Sequence, residues 1–283
     1  MSGNKKAFYF LLIPVLLWLV LLIIIPHIDL FISSFKVDGD SSSAFSLENY
    51  TIFFKEKIYW YTFLNTVIYA IGITLLAFVV TFPVAFYLTK VVDRKYASFL
   101  TLMLLIPLWV GELVTIYGWV IILGDHGVIN ESLIWLGIID KPIPLLYNNF
   151  SMSIGLLYMS MLFMTIPVMT TLESLDDSLI EAASDLGASK FTIFRRIIIP
   201  HAMPGIVNGG IIVFMLVIGD YVAPNILGGK SNLWFTEQIY NQFLSTFNWN
   251  QGAAFGFLLL VISSAVIWMA LKLSGQKLEK VGS

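Results

Sequence analysis

The chain reads as long apolar runs joined by short polar connectors, without the alternation of faces that marks a half-buried soluble element. Six runs, at approximately 8–30, 64–89, 97–123, 151–172, 203–222 and 252–273, reach the roughly 20 apolar residues needed to cross about 30 Å of hydrocarbon. A segment in lipid must satisfy its own backbone, so each run predicts a helix. The expectation is an all-α membrane protein with six transmembrane helices, folded as one domain over 1–283. Pro83, Pro107 and Pro167 lie inside runs and predict local kinks. The first run is too long for a signal-peptide core, and no small-x-small site follows it, so an uncleaved first span is expected.

Composition sharpens this. Of 283 residues only 12% are charged, about half the roughly 25% of a soluble domain, and the mean hydropathy is +0.86. The net charge is −2 with no basic block, so no nucleic-acid partner is expected. The absence of cysteine excludes disulfides, thiolate chemistry and cysteine metal sites.

Basic residues set the orientation. With the N-terminus inside, the inner face holds Lys5, Lys6, Lys90, Arg94, Lys95, Lys190, Arg195, Arg196, Lys272, Lys277 and Lys280, eleven against five in the outer loops (Lys36, Lys55, Lys57, Lys141, Lys230). Both termini are then expected in the cytoplasm. The outer loops carry a Ser/Asp-rich turn (Asp38 to Ser43) followed by an amphipathic piece, a short helix at 130–137 capped by Asn130 and ended by Gly137, and a second helix at 233–247.

A charged stretch, EAASDLGASKFTIFRRIIIP, occupies the inner loop between the fourth and fifth runs, from Glu181 to Pro200. Ser178-x-x-Glu181 fits a capping box, with Asp177 as the rival cap. Leu179, Ala182, Ala183 and Leu186 lie along one helical side, and Gly187 suits a left-handed stop. A second helix from Ser189 turns Phe191, Phe194, Ile197 and Ile198 toward the membrane surface, with Pro200 and Pro204 at the entry to the fifth span. Periodicity alone leaves two readings open, a surface hairpin with basic anchors or a surface that a partner cups.

The order Glu181-Ala182-Ala183, Gly187, then Ile197 to Pro200, with Leu175-Asp176 upstream, resembles the cytoplasmic loop of bacterial ABC-importer permeases. Gly219-Asp220-Tyr221-Val222-Ala223-Pro224, Leu227-Gly228-Gly229, Tyr117-Gly118 and Asn248-Trp249 resemble the B- or H-type spermidine/putrescine permeases. The resemblance implies the type I importer permease fold, in the bacterial inner membrane, with 173–200 as a coupling loop in which Glu181, Ala182, Ala183 and Gly187 meet a partner ATPase. It also implies two ATPase copies, which would hold ATP and Mg, a second, non-identical permease and an extracytoplasmic binding protein. This chain itself would be non-catalytic, bind no cofactor and import polyamines.

Ionisable groups inside spans are costly and usually functional. Asp29 sits at the outer end of the first span and reads as interfacial. Glu112 lies about fifteen residues into the third run and Asp220 about seventeen into the fifth, roughly 22 and 25 Å from the inner side, so the two carboxyls are expected at similar depth. On one continuous helix Trp109, Glu112, Ile116 and Trp119 would share a face, and Tyr221 adjoins Asp220. A negative charge flanked by aromatic rings suits an alkylammonium. The alternative is that the carboxyls are protonated or hydrogen-bonded for packing, with Trp109, Trp119 and Tyr221 as plain packing residues.

Other motifs fail. Gly228-Gly229-Lys230-Ser231 imitates the end of a phosphate loop, but its first glycine would fall at Pro224. There is no HExxH, and His27, His126 and His201 are far apart in sequence. Asp220 is preceded by Ile218-Gly219, which breaks the GxGD pattern of intramembrane proteases. A stand-alone secondary transporter would show inverted repeats and broken helices, for which the sequence shows no sign. Iron or an aminophosphonate remain alternative cargoes.

Overall fold

The computed structural model describes residues 3–36, 45–229 and 233–274. The Asp38 to Ser43 turn and Lys230, Ser231, Lys277 and Lys280 lie outside the described residues. The described residues form helices, in order α1 (Gly3–Leu19), α2 (Ile25–Ser33), α3 (Glu48–Lys55), α4 (Lys57–Phe86), α5 (Arg94–Leu105), α6 (Glu112–Leu123), α7 (Val128–Trp135), α8 (Asn149–Glu173), α9 (Asp177–Asp185), α10 (Lys190–Ile193), α11 (Ile199–Gly219), α12 (Val222–Leu227), α13 (Phe235–Leu244) and α14 (Trp249–Ser274). Wider π-turns at Val20–Ile24, Tyr87–Val91 and Phe194–Ile198 carry α1 into α2, end α4 and carry α10 into α11. Among the described residues, six segments are long and apolar enough to cross a membrane.

Contacts divide the chain into two units. The first holds 1–61 and 238–262. There Phe31 meets Phe257 edge-on at 5.3 Å, and Phe255 packs between Phe53 and Tyr59. The buried Asn49 amide donates to the carbonyls of Ser34 and Lys36, which fixes the turn leaving α2.

The second unit holds 62–237 and 263–283. Its centre is the pair α8 and α11, which pack backbone against backbone. A β-carbon on Gly205 would collide with the Pro167 carbonyl and Thr171 Oγ1, and one on Gly209 would lie 3.0 Å from Met164 Cα. Glycine is needed at both positions because the helices touch there. The Asn148 side chain caps α8 through the amides of Phe150 and Ser151, with Ser151 Oγ returning the bond. Pro167 and Pro204 sit inside α8 and α11 without ending them.

Two spans differ from the sequence expectation. The third run is not one helix: it breaks between Leu105 and Glu112. The fifth starts at Lys190, inside the charged loop, and runs to Gly219, because the π-turn at Phe194–Ile198 joins α10 to α11 without a break. Asn130 is not the cap of the short outer helix. It is buried and bonds to the Gly124 carbonyl and to both backbone groups of Ile143, while Gly127 precedes the helix. Gly137, at φ +68°, does end it.

Candidate functional site

The first break is built from Pro107 and Gly111. Ile106–Trp109 forms one tight 3-10 turn with proline near its start, where a missing N–H costs nothing. Val110 and Gly111 are then extended, and α6 restarts at Glu112. A carboxylate in a first turn faces the positive end of the helix dipole.

The second break is built around Asp220. Helix α11 stops at Gly219, and Asp220 is extended (φ −71°, ψ 136°). Its Oδ1 accepts from the amides of Val222 at 2.7 Å and Ala223 at 3.3 Å, so the carboxylate caps α12. The interrupted carbonyls are also served. Thr236 Oγ1 donates to Ile218 O (3.1 Å) and Asp220 O (3.0 Å), and Ser151 Oγ donates to Leu227 O (2.8 Å) at the far end of α12. Irregular backbone at membrane depth survives only with such partners.

The two breaks open onto one cavity of about 420 Å³. Glu112, Asp220 and Tyr221 line it, together with Met159, Ser160 and Phe163 of α8. Glu112 and Asp220 face the same cavity, close enough for their carboxyls to interact electrostatically. Two like charges at that range repel, and a cation placed between them removes the repulsion. Both residues line this one cavity, and helix ends rather than continuous helix bring them there.

The aromatic face does not form. The break turns Trp109 out of register, and it is 90% exposed and outside the cavity. Ile116 is fully buried, and Trp119 packs edge-on against Tyr158 at 5.5 Å, away from the lining. Of the aromatic candidates only Tyr221 reaches the site, and Phe163 replaces the tryptophans. Thr236 and Ser151 escaped the sequence reading, since nothing local marks them as holders of a distant break.

The charged loop follows the expected helix–glycine–helix plan, with a different cap. Asp176 caps α9 by accepting from the Ser178 amide, one residue before Asp177 and two before Ser178. That bond holds its exposed carboxyl below the usual carboxylate range. Gly187, at φ +79°, ends the helix: its amide donates to Ser184 O (2.9 Å) and the Ala188 amide to Ala183 O (3.0 Å), the paired bonds of a Schellman stop. Ser189 caps α10 through Thr192. Glu181, Ala182 and Gly187 are exposed and Ala183 is half-buried. Leu179, Leu186 and Phe191 are exposed among the described residues, whereas Phe194 meets Phe82 edge-on at 5.6 Å.

Comparison with known proteins places these features. Residues 77–278 match the family described as binding-protein-dependent transport system inner membrane component. The spermidine/putrescine transport system permease protein PotB of Escherichia coli (strain K12) is 35% identical over 275 residues, covering 95% of this chain and 99% of its own. PotB of Haemophilus influenzae is 34% identical over 268 residues, covering 93% of each. A bacterial alginate ABC transporter, solved in complex with an alginate pentasaccharide-bound periplasmic protein, contains a chain of the same fold. Its TM-score is 0.79 at 17% identity, over 96% of this chain and 95% of that one. With a match across most of its length, six spans and that fold, this chain belongs to the inner-membrane permease components of binding-protein-dependent transport systems.

Proposed function

We propose that this chain is a permease subunit of an ATP-driven importer for polyamines of the spermidine/putrescine class. The observation that carries the cargo is the facing pair Glu112 and Asp220 in one cavity at two helix breaks. Polyamines carry protonated amines spaced along an alkyl chain. A carboxylate pair with Met159, Phe163 and Tyr221 beside it offers ion pairing at one group and apolar contact along the stem. The names of the relatives point the same way. An anionic cargo would meet repulsion at this point.

The rest of the assembly follows. The helix α9, with Glu181, Ala182 and Leu179 exposed and Ala183 half-buried, followed by the exposed Leu186 and Gly187, is the coupling helix on which one copy of a separate ATPase closes. Both chain termini lie on that cytoplasmic side. A second, non-identical permease completes the cavity, and Trp109 is directed toward that partner or toward lipid. A substrate-loaded binding protein docks on the outer loops. ATP and Mg stay on the ATPase. Its closure carries the 173–200 loops inward and opens the spans outward, and hydrolysis reverses the motion. Glu112 and Asp220 hold the cation during passage.

The test is uptake of labelled spermidine by cells whose sole importer contains this chain, challenged with excess putrescine, ferric citrate or an aminophosphonate. Competition by putrescine alone supports the reading. Absence of spermidine uptake, or uptake suppressed by ferric citrate or the aminophosphonate and not by putrescine, overturns it.

A further inference from the structure

Lys90 reads from sequence as one more basic residue marking the inner face. Such a lysine normally extends its ammonium into water or headgroups. This one turns inward: its side chain is 7% exposed. Its ammonium donates to the Leu175 carbonyl at 2.5 Å and to Asp177 Oδ1 at 2.7 Å. Leu175 follows the C-terminal end of α8, where carbonyls lack helical partners and the dipole favours a cation. Asp177 is the first residue of α9. One buried charge therefore bridges three elements, the end of α4, the end of α8 and the start of the exposed helix.

The local backbone serves this arrangement. Lys90 sits in the π-turn Tyr87–Val91 that ends α4, and such turns redirect side chains by inserting a residue. Phe82, two turns earlier on α4, packs on Phe194, on the return limb of the same loop. The second span thus holds both limbs, one through a buried ion and one through an aromatic pair. The two partners of Lys90 differ in weight. Asp177 is 72% exposed, so its attraction is screened. The Leu175 carbonyl gives the desolvated ammonium its second acceptor, and losing the ammonium releases both bonds together.

We propose that Lys90 is a positioning residue, a latch that fastens the cytoplasmic end of α4 to the entry of α9, so that displacement of the loop carries the second span with it. The proposal rests on the reading of 173–200 as the coupling loop. Without the latch, the loop moves against α4, and ATP hydrolysis proceeds without a matching movement of the spans.

The test uses the whole importer in proteoliposomes, with spermidine as probe, and reads ATP hydrolysed per spermidine transported. Lys90→Met keeps the stem and removes the charge. It is expected to leave ATPase association intact and raise the ratio roughly tenfold, the scale of a typical coupling free energy. Lys90→Arg is expected to stay within about twofold of the parent, since it keeps a donor cation. An unchanged ratio in Lys90→Met overturns the latch. If Lys90→Met does not accumulate in membranes, the shorter, uncharged but polar Lys90→Gln decides: a raised ratio supports the latch and an unchanged one overturns it. Glu181→Lys separates the two readings. If it leaves ATPase binding and uptake intact, the coupling loop itself is wrong and the latch falls with it. If it abolishes binding while Lys90→Met keeps the parental ratio, only the latch is wrong.

Discussion

Gly187 lets backbone strain be measured apart from partner contact. Its φ of +79° is a left-handed conformation, and an ideal β-carbon built there meets nothing within 4 Å. In the isolated chain a side chain at this position therefore costs conformation and no space. For a residue other than glycine that cost is about 1–2 kcal/mol, a factor of roughly 5–30 in an opening equilibrium. The bonds at stake are the Gly187 amide to Ser184 O and the Ala188 amide to Ala183 O. Hydrogen exchange of the detergent-purified chain should show these two amides opening about 5–30-fold more in Gly187→Ala, equally in Gly187→Leu, and less in Gly187→Asn, which tolerates the left-handed region. Binding of the ATPase should then separate alanine from leucine, because only there does size matter. Unchanged exchange in the alanine variant would refute the strain argument, and a larger effect of leucine in the isolated chain would refute the open surroundings.

Three further expectations concern the breaks and the helix pair. Asp220→Ala removes the cap of α12 and should destabilise that segment by about 0.5–2 kcal/mol, read as faster exchange over 222–227, whereas Asp220→Asn keeps a capping oxygen and should not. Thr236→Val strands the carbonyls of Ile218 and Asp220 and should cost about 1–3 kcal/mol in the same readout, with the α9 amides unaffected. Gly205→Ala forces α8 from α11 at the Pro167 carbonyl and should lower the melting temperature of the purified chain by the equivalent of about 1–3 kcal/mol, while Gly72→Ala, with open space around it, should not.

Local signals were legible in the sequence and relayed ones were not. Six apolar runs announce six spans because hydrocarbon tolerates little else. The stops at Gly137 and Gly187 are legible because a left-handed residue at a helix end selects glycine whatever surrounds it. The break at 106–111 is hidden because most of its residues are as apolar as the helices beside it, and the break at 220–221 because Asp220 reads as a charge on a continuous span while the groups that sustain the break, Thr236 and Ser151, lie far off in the chain. The aromatic face around Glu112 fails for the same reason: helical spacing counts across Gly111 only if the helix does. Asp176 displaces Ser178 as cap because several polar residues in a row each offer an acceptor, and only the turn leaving α8 selects among them. Lys90 reads as an anchor because composition reports charge and not the direction of a side chain.

The central claim is that Glu112 and Asp220 hold the passing cation. Its most direct test is spermidine uptake by an importer carrying Glu112→Gln together with Asp220→Asn, a pair of changes that removes both charges and leaves the α12 cap an oxygen. Each charge-assisted hydrogen bond contributes about 1.5–3 kcal/mol, so uptake should fall at least ~100-fold while membrane abundance and melting temperature hold. Parental spermidine uptake in that variant would contradict the claim and leave the two carboxyls as supports for the helix ends.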